Sequence, residues 1–308
     1  MRKHLFLAGV GIVMITLGPP TVAGQNLPLV PLPSTGLSIA PFLEGWYANE
    51  DGSHTISFGY LNRNEENLVN IQVGENNSIE PAQFSGMQPT VFLPGRHRGV
   101  FVVTLPPGME ATDVWWTIAN ENGEVNKVPG RTTSHAYQLD RNPRPFGSLP
   151  PHIGFSENGP TASDPSGILA DQTIDARVGE PLTLEVWTSD PSQRDPDDTR
   201  FEEAKSLRVV WSPHQSPPEG DITFSRHESS PEPEEEEAPD EEGPPRPPPG
   251  PEEVMVPEGA GVARVYATFS APGEYLVRAQ VDNWRAPDSS SGDQCCWSNA
   301  YQRVNVEP

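Results

Sequence analysis

Two residues able to do covalent chemistry stand side by side in the stretch SSSGDQCCWSNAYQRVNV: Cys295 and Cys296, the only cysteines of the chain. A thiol pair can close a disulfide, hold a soft metal or join two chains. Adjacent Cα atoms lie about 3.8 Å apart across a trans peptide. Ordinary disulfides span about 4.4–6.8 Å, so a bridge between neighbours would be strained and would stiffen its loop. Two adjacent thiolates seldom serve one tetrahedral ion, and the CxxC spacing of zinc sites is absent. No histidine follows His227, so the His and Met ligands that trail the cysteine of a blue-copper site are missing. A covalent link to another chain and a buried reduced pair are the remaining alternatives, the last disfavoured by an oxidising compartment. The expectation is a disulfide between Cys295 and Cys296.

Other groups offer weaker chemistry. Asp190, Asp195, Asp197 and Asp198 crowd into SDPSQRDPDDTR, a candidate set of oxygen ligands for Ca²⁺. They do not follow the EF-hand pattern, and Arg194 and Arg200 interleave with them. The stretch GRHRG, residues 95–99, is a compact basic spot that could grip a carboxylate or phosphate, or form a solvated turn. His54, His97, His135, His152, His214 and His227 show no metal-ligand spacing, and no GxSxG elbow, P-loop or GxGxxG occurs. Carboxylates are plentiful, so counting leaves a glycosidase pair open. Small sandwiches with turn-like connections seldom make the deep cleft such a pair uses.

The first residues, MRKHLFLAGVGIVMITLGPPTVAGQ, combine a basic start, a short apolar run and small residues. This pattern predicts a cleavable export signal over residues 1–24. With no second apolar stretch, no membrane insertion is expected after cleavage, and the predicted location is the periplasm or the cell exterior. A net charge of −23 argues against nucleic acid and against anionic membrane surfaces.

Helical periodicity is nearly absent. Short runs of Val, Ile, Thr, Phe, Tyr and Trp alternate with Gly, Pro, Asn and Asp clusters, which predicts an all-β protein. Two β-sandwiches in tandem are expected, at 38–140 and 173–308, with a Pro/Gly/Ser-rich linker over 141–172. In the first, HTISFGYLNR, NLVNIQVG, TVFLPG, RGVFVVTLPP, TDVWWTIANENG and SHAYQLD read as strands. Alternation puts Trp116 in its core and Trp115 on the opposite face. In the second, Leu184 and Val186, then Val209 and Trp211, then Val265, Ala267 and Phe269, then Tyr275, Val277, Ala279 and Val281 share core faces. The run SSPEPEEEEAPDEEGPPRPPPGPEE inside it cannot build a core, so an acidic, Pro-rich, disordered insert is expected over about 226–261.

The run LRVVWSPHQSPPEGDITFS, followed by ATFSAPGEYLVRAQVDN, resembles the PKD-like and immunoglobulin-like sandwich repeats of secreted bacterial proteins. The resemblance covers roughly residues 173–306. It implies that Trp211 is the buried core tryptophan and Tyr275 the corner tyrosine. Where antibody domains carry a cysteine two residues after that tyrosine, this chain has Val277, so the inter-sheet disulfide is missing. The fold hosts many functions.

With strands antiparallel in that order, residues 189–205, the acidic insert and residues 282–298 should meet at one pole. Loops on a rigid scaffold are where binding residues concentrate. Trp284, Cys295, Cys296 and Trp297 are therefore the candidate contact residues, with the two tryptophans either exposed for stacking or packed on each other. The expected function is non-enzymatic binding of a protein or glycan partner, or a structural role, with no cofactor beyond possible Ca²⁺. Two alternatives stand beside it: thiol-redox or copper handling by the cysteine pair, and a carbohydrate-active enzyme with catalysis in the first domain.

Overall fold

In a computed structural model, residues 35–139, 147–195, 197–231, 249–289 and 296–308 are described. The predicted export signal, Cys295, and the acidic run over 232–248 lie outside them. The fold is all-β, and residues Ser34–Pro308 form one compact unit.

The first half contains β1 (Ile39–Ala48), β2 (His54–Asn62), β3 (Val69–Asn70), β4 (Asn77–Glu80), β5 (Val91–Phe92), β6 (Gly95–Leu105), β7 (Val114–Ala119) and β8 (Val125–Gly130). Their sheets are β1-β2-β6, β4-β7-β8 and the small β3-β5 pair. Strand alternation turns Ile56, Phe58, Phe101, Val103, Val114, Trp116 and Ile118 into one buried cluster. Phe58 stacks on Phe101 with centroids 5.3 Å apart, and Trp116 meets Phe101 edge-on at 4.9 Å. Each such aromatic pair adds about 0.5–1.5 kcal/mol beyond its area. Trp115, on the other face, is clasped by Lys127 and Arg131, at 4.8 and 5.5 Å from its ring. The segment SHAYQLD is not a strand. It makes one 3-10 turn at His135–Tyr137, and Leu139 packs where Gly45 of β1 lacks a side chain. Its alternation reflects a loop fitted over a glycine, which a period-2 pattern cannot reveal.

The second half contains β9 (His152–Gly154), β10 (Thr161–Ala162), β11 (Ile168–Leu169), β12 (Ile174–Arg177), β13 (Pro181–Ser189), β14 (Leu207–Gln215), β15 (Ile222–Arg226), β16 (Glu253–Val256), β17 (Ala260–Phe269), β18 (Gly273–Asp282) and β19 (Trp297–Glu307). One sheet runs β10-β9-β13-β17-β15. The other runs β11-β19-β18-β14-β16, with β12 also paired to β19. Trp211 is 1% exposed between them. The Tyr275 hydroxyl donates to the Ala271 carbonyl at 2.8 Å, which builds the expected corner. Two stretches differ from expectation. The described part of the presumed linker, 147–172, carries three short strands, and Ile153 reaches the second core. The C-terminal end of the presumed insert forms β16, whose Val254 and Val256 are buried against β14. Strands of two to four residues are too short to register against the Pro and Gly around them.

The outer face of the β14-β18-β19 sheet docks on the first half. Pairing of β2 with β6 skips between Phe58↔Phe101 and Tyr60↔His97, so Arg98, Gly99 and Val100 bulge out of the ladder. Their carbonyls accept from the second half: Arg98 from Gln280, Gly99 from Arg278 and Asn299, and Val100 from the Tyr301 hydroxyl. Gly99 has φ 56, and the Trp297 indole lies where its Cβ would stand. Beyond the bulge, Thr90 N–H donates to the His214 carbonyl at 2.9 Å, and His214 Nε2 donates to the Met87 carbonyl at 2.7 Å.

Two measurements test this interface. Gly99→Ala combines a left-handed backbone with a collision against Trp297, and should lose about 3 kcal/mol in urea unfolding. Gly108→Ala, with φ 87 and open space around it, is the control for backbone strain alone and should lose about 1 kcal/mol. The second concerns acid. Burial, with Arg278 adding to it, lowers His97 to about 4 and His214 to about 3. Their neutral state therefore contributes stability that is present above the ordinary value, about 6.5, and lost as pH falls toward those lowered values. Burial raises Glu44 and Asp282, which acts in the opposite sense in the carboxylate range. The histidine part is read by difference: between about pH 7 and pH 4, the melting temperature of His214→Gln should fall less than that of the wild type. Equal slopes would remove His214 from the account.

Candidate functional site

Two of the three loops expected at one pole, residues 189–205 and 282–298, meet there through their described residues, while the acidic run over 232–248 lies outside those described. Arg194, between β13 and β14, is nearly buried. Its Nη1 donates to Asp190 Oδ2 at 2.8 Å and its Nε to Asp288 Oδ2, in the β18–β19 loop, at 2.9 Å. Phe201 lies 5.0 Å under the guanidinium. Burial alone would lower Arg194, but its bonds to Asp288 and Asp190 raise it overall. The short connection between β16 and β17 joins the two loops where Asp190 N–H donates to the Gly259 carbonyl at 2.7 Å. Asp282, at the end of β18 and 0% exposed, accepts from Arg208 Nε and Nη2 at 3.0 and 2.8 Å. Arg285 reaches Glu253 of β16 at 3.3 Å.

The chain entering the second sandwich straps this pole. Leu149 N–H donates to Ser192 Oγ at 2.8 Å, and Asn283 Nδ2 donates to Ser148 Oγ at 2.9 Å and the Leu149 carbonyl at 3.0 Å. The Ser298 hydroxyl donates to the Pro151 carbonyl at 2.6 Å. Sequence reading missed this strap, because Ser148 and Leu149 carry no periodic signal of their own.

Of the four predicted contact residues, Trp284 is half-buried, with Arg208 5.4 Å over its ring and Trp297 edge-on at 6.1 Å. Trp297 is 2% exposed and faces Gly99, so it is not an exposed stacking platform. Its parity places it on the outer sheet face, which the first sandwich covers. Cys296 is disulfide-bonded, buried, and holds φ 76. A side chain in that left-handed region costs about 1–2 kcal/mol, which the surrounding packing must offset. The chain's other cysteine, Cys295, lies outside the described residues.

The four aspartates do not converge on a shared centre. Asp190 is held by Arg194 and by Ser192, Asp195 Oδ1 accepts from Asp197 N–H at 3.0 Å, and Arg200 Nη2 meets Asp198 at 2.6 Å. Among the described residues no group of three or more His, Cys, Asp or Glu side chains is placed to hold a metal ion. The basic stretch also has its partner within the chain. Arg96 meets buried Glu44 of β1 at 2.5 Å, Arg98 lies 3.7 Å from it, and His97 stacks on Tyr60 at 4.9 Å. Both deeply buried carboxylates with raised pKa, Glu44 and Asp282, are thus bound by arginines.

No protein-family model matches the chain, and no curated protein matches it. Among solved structures, the D00-D0 domain of intimin matches at 12% identity over 88% of this chain and 100% of that one, with a TM-score of 0.25. The Yersinia pseudotuberculosis adhesin InvE matches at 8% identity over 87% of this chain and 58% of its own, with a TM-score of 0.24. Scores this low carry no argument about topology or function, and the fold stands on its own strands. No helix among the described residues is long and apolar enough to cross a membrane.

The pole predicts a measurable cost. Arg194→Met removes both bonds and leaves Asp288, with a side chain 0% exposed, as a buried unpaired charge. Urea unfolding should show a loss of about 3–5 kcal/mol. The double variant Arg194→Met/Asp288→Asn should recover a large part of it.

Proposed function

We propose that this chain is an exported, non-enzymatic binding or structural protein that presents the loop pole of its second sandwich to a protein or glycan partner. The observation that carries this reading is Arg194, whose one guanidinium ties two pole loops while Asp190 N–H ties the β16–β17 connection to them. A contact surface fixed in advance loses less conformational entropy on binding. Trp284, half-buried at that pole, is the aromatic contact, and Cys295 bridged to Cys296 stiffens the loop beside it. The disulfide at Cys296 supports an oxidising compartment.

The test is cross-linking and pull-down from the exterior fraction of cells, using the full chain as bait. Trp284→Ala should weaken capture of any specific partner about tenfold while the melting temperature changes little. Unchanged capture would take the contact away from the pole. Turnover of a glycan that is lost on changing one carboxylate would replace binding with catalysis.

A further inference from the structure

The outward face of the β10-β9-β13-β17-β15 sheet belongs to neither core nor to the sandwich interface. Along β13, Leu184 and Val186 point into the core, so Glu185 and Trp187 point out. Trp187 is half-buried, paired with Gly154 of β9 on one side and Val262 of β17 on the other. Gly154 has no side chain, and the Pro160 carbonyl and the Thr161 methyl occupy its place beside the indole. With His152, Glu157, Thr161 and Gly261, Trp187 lines a shallow cleft of about 340 Å³.

The indole N–H donates to Glu185 at 2.8 Å, and Glu185 is fixed by Arg264 of β17 at 2.5 Å. The polar edge of the ring is therefore occupied and its orientation set. The aromatic surface is left to the cleft, beside the exposed Glu157 carboxylate. His152 Nδ1 lies 3.4 Å from the Thr161 hydroxyl on the same rim. A flat apolar surface ringed by donors and acceptors matches a pyranose ring, which has a C–H face and a rim of hydroxyls. Charge narrows the class further. Glu157 and a net charge of −23 oppose uronic or sulfated glycans. Arg264, beside Trp187 on the same face, is already paired with Glu185 and so gives an anionic group no hold.

We infer that the Trp187 cleft binds a neutral hexopyranose unit of a glycan. The cleft borders the pole through Ser189 and Ala260 but includes neither Trp284 nor Arg194, and it does not rest on the function proposed for them.

The probe is affinity electrophoresis of the full chain in gels cast with neutral hexose polysaccharides (mannan, β-glucan, starch, dextran), with heparin and an arginine-rich peptide as charged comparators. The expected result is retardation by at least one neutral polymer and by neither comparator. Trp187→Ala should weaken it about tenfold, the effect of losing one stacking contact. Glu157→Gln changes an exposed side chain and should weaken retardation with an unaltered circular dichroism spectrum, which keeps the test valid if Trp187→Ala misfolds. Tyr137→Ala, at an exposed aromatic of the first half, should leave it unchanged. Absence of retardation in every neutral gel overturns the inference. So does retardation indifferent to both cleft variants, or a Trp187-dependent interaction with heparin or the peptide instead.

Discussion

Where the β2-β6 ladder skips past Gly59, the carbonyls of Arg98, Gly99 and Val100 lose their strand partner. A buried carbonyl without a donor costs about 1–3 kcal/mol, so three of them require three sets of donors. The second sandwich supplies these from Gln280, Arg278 with Asn299, and Tyr301. The need runs both ways. Arg278 is fully buried, meets no carboxylate among the described residues, and is lowered by that burial. An arginine stays charged in a protein, so its cation must be solvated by oxygens: the Gly99 carbonyl at 3.3 Å and Ser212 Oγ, also at 3.3 Å. Each half leaves polar groups that only the other half satisfies. The two sandwiches therefore bury this face together.

That docking reaches the pole through β19. Tyr301, Asn299 and Trp297 alternate along its outer face. The first two meet the bulge directly, and Trp297 packs on Gly99 on one side and edge-on to Trp284 on the other. Cys296 precedes Trp297 and carries a left-handed backbone. The orientation of the half-buried Trp284 thus descends from the sandwich interface by way of two tryptophans and one strand, as well as from the Arg194 ion pairs. Loop order brought the pole together, and the bulge decides how the strand beneath it lies.

Alternation made the two cores legible: Trp116, Trp211, Tyr275 and Val277 sit where a period of two puts them. The meeting of residues 189–205 with 282–298 at one pole was legible too, because it follows from strand direction. What alternation could not supply was the identity of the surface opposite each core. Outward Arg278, Gln280, Asn299 and Tyr301 carry no mark of what covers them, since polar residues on alternate positions look alike whether water or a second domain lies over them. GRHRG read as a turn or an anion grip for the same reason. Its carboxylate partner, Glu44, is 52 residues away. The short strands β9 to β11 escaped because two or three residues carry no periodicity, and β16 because the acidic run before it dominates its composition.

The two sheets of the second sandwich divide their outer faces unequally, and the reason lies in how each treats its polar groups. On the β14-β18-β19 side, Arg278 finds Ser212 in its own sheet but also needs the Gly99 carbonyl, and Gln280 donates to the Arg98 carbonyl, both brought from outside. On the β13-β17 side the polar groups close on one another: Arg264 with Glu185, Trp187 with the same carboxylate, and Tyr266 with Glu228. A face satisfied within itself has no need of a second domain, and it offers a docking partner few unmet donors. It stays open to solvent, and what it still presents there is aromatic surface. Interdomain docking and ligand access are thereby assigned to opposite sides of one sandwich by the same rule, that a buried polar group must find its partner.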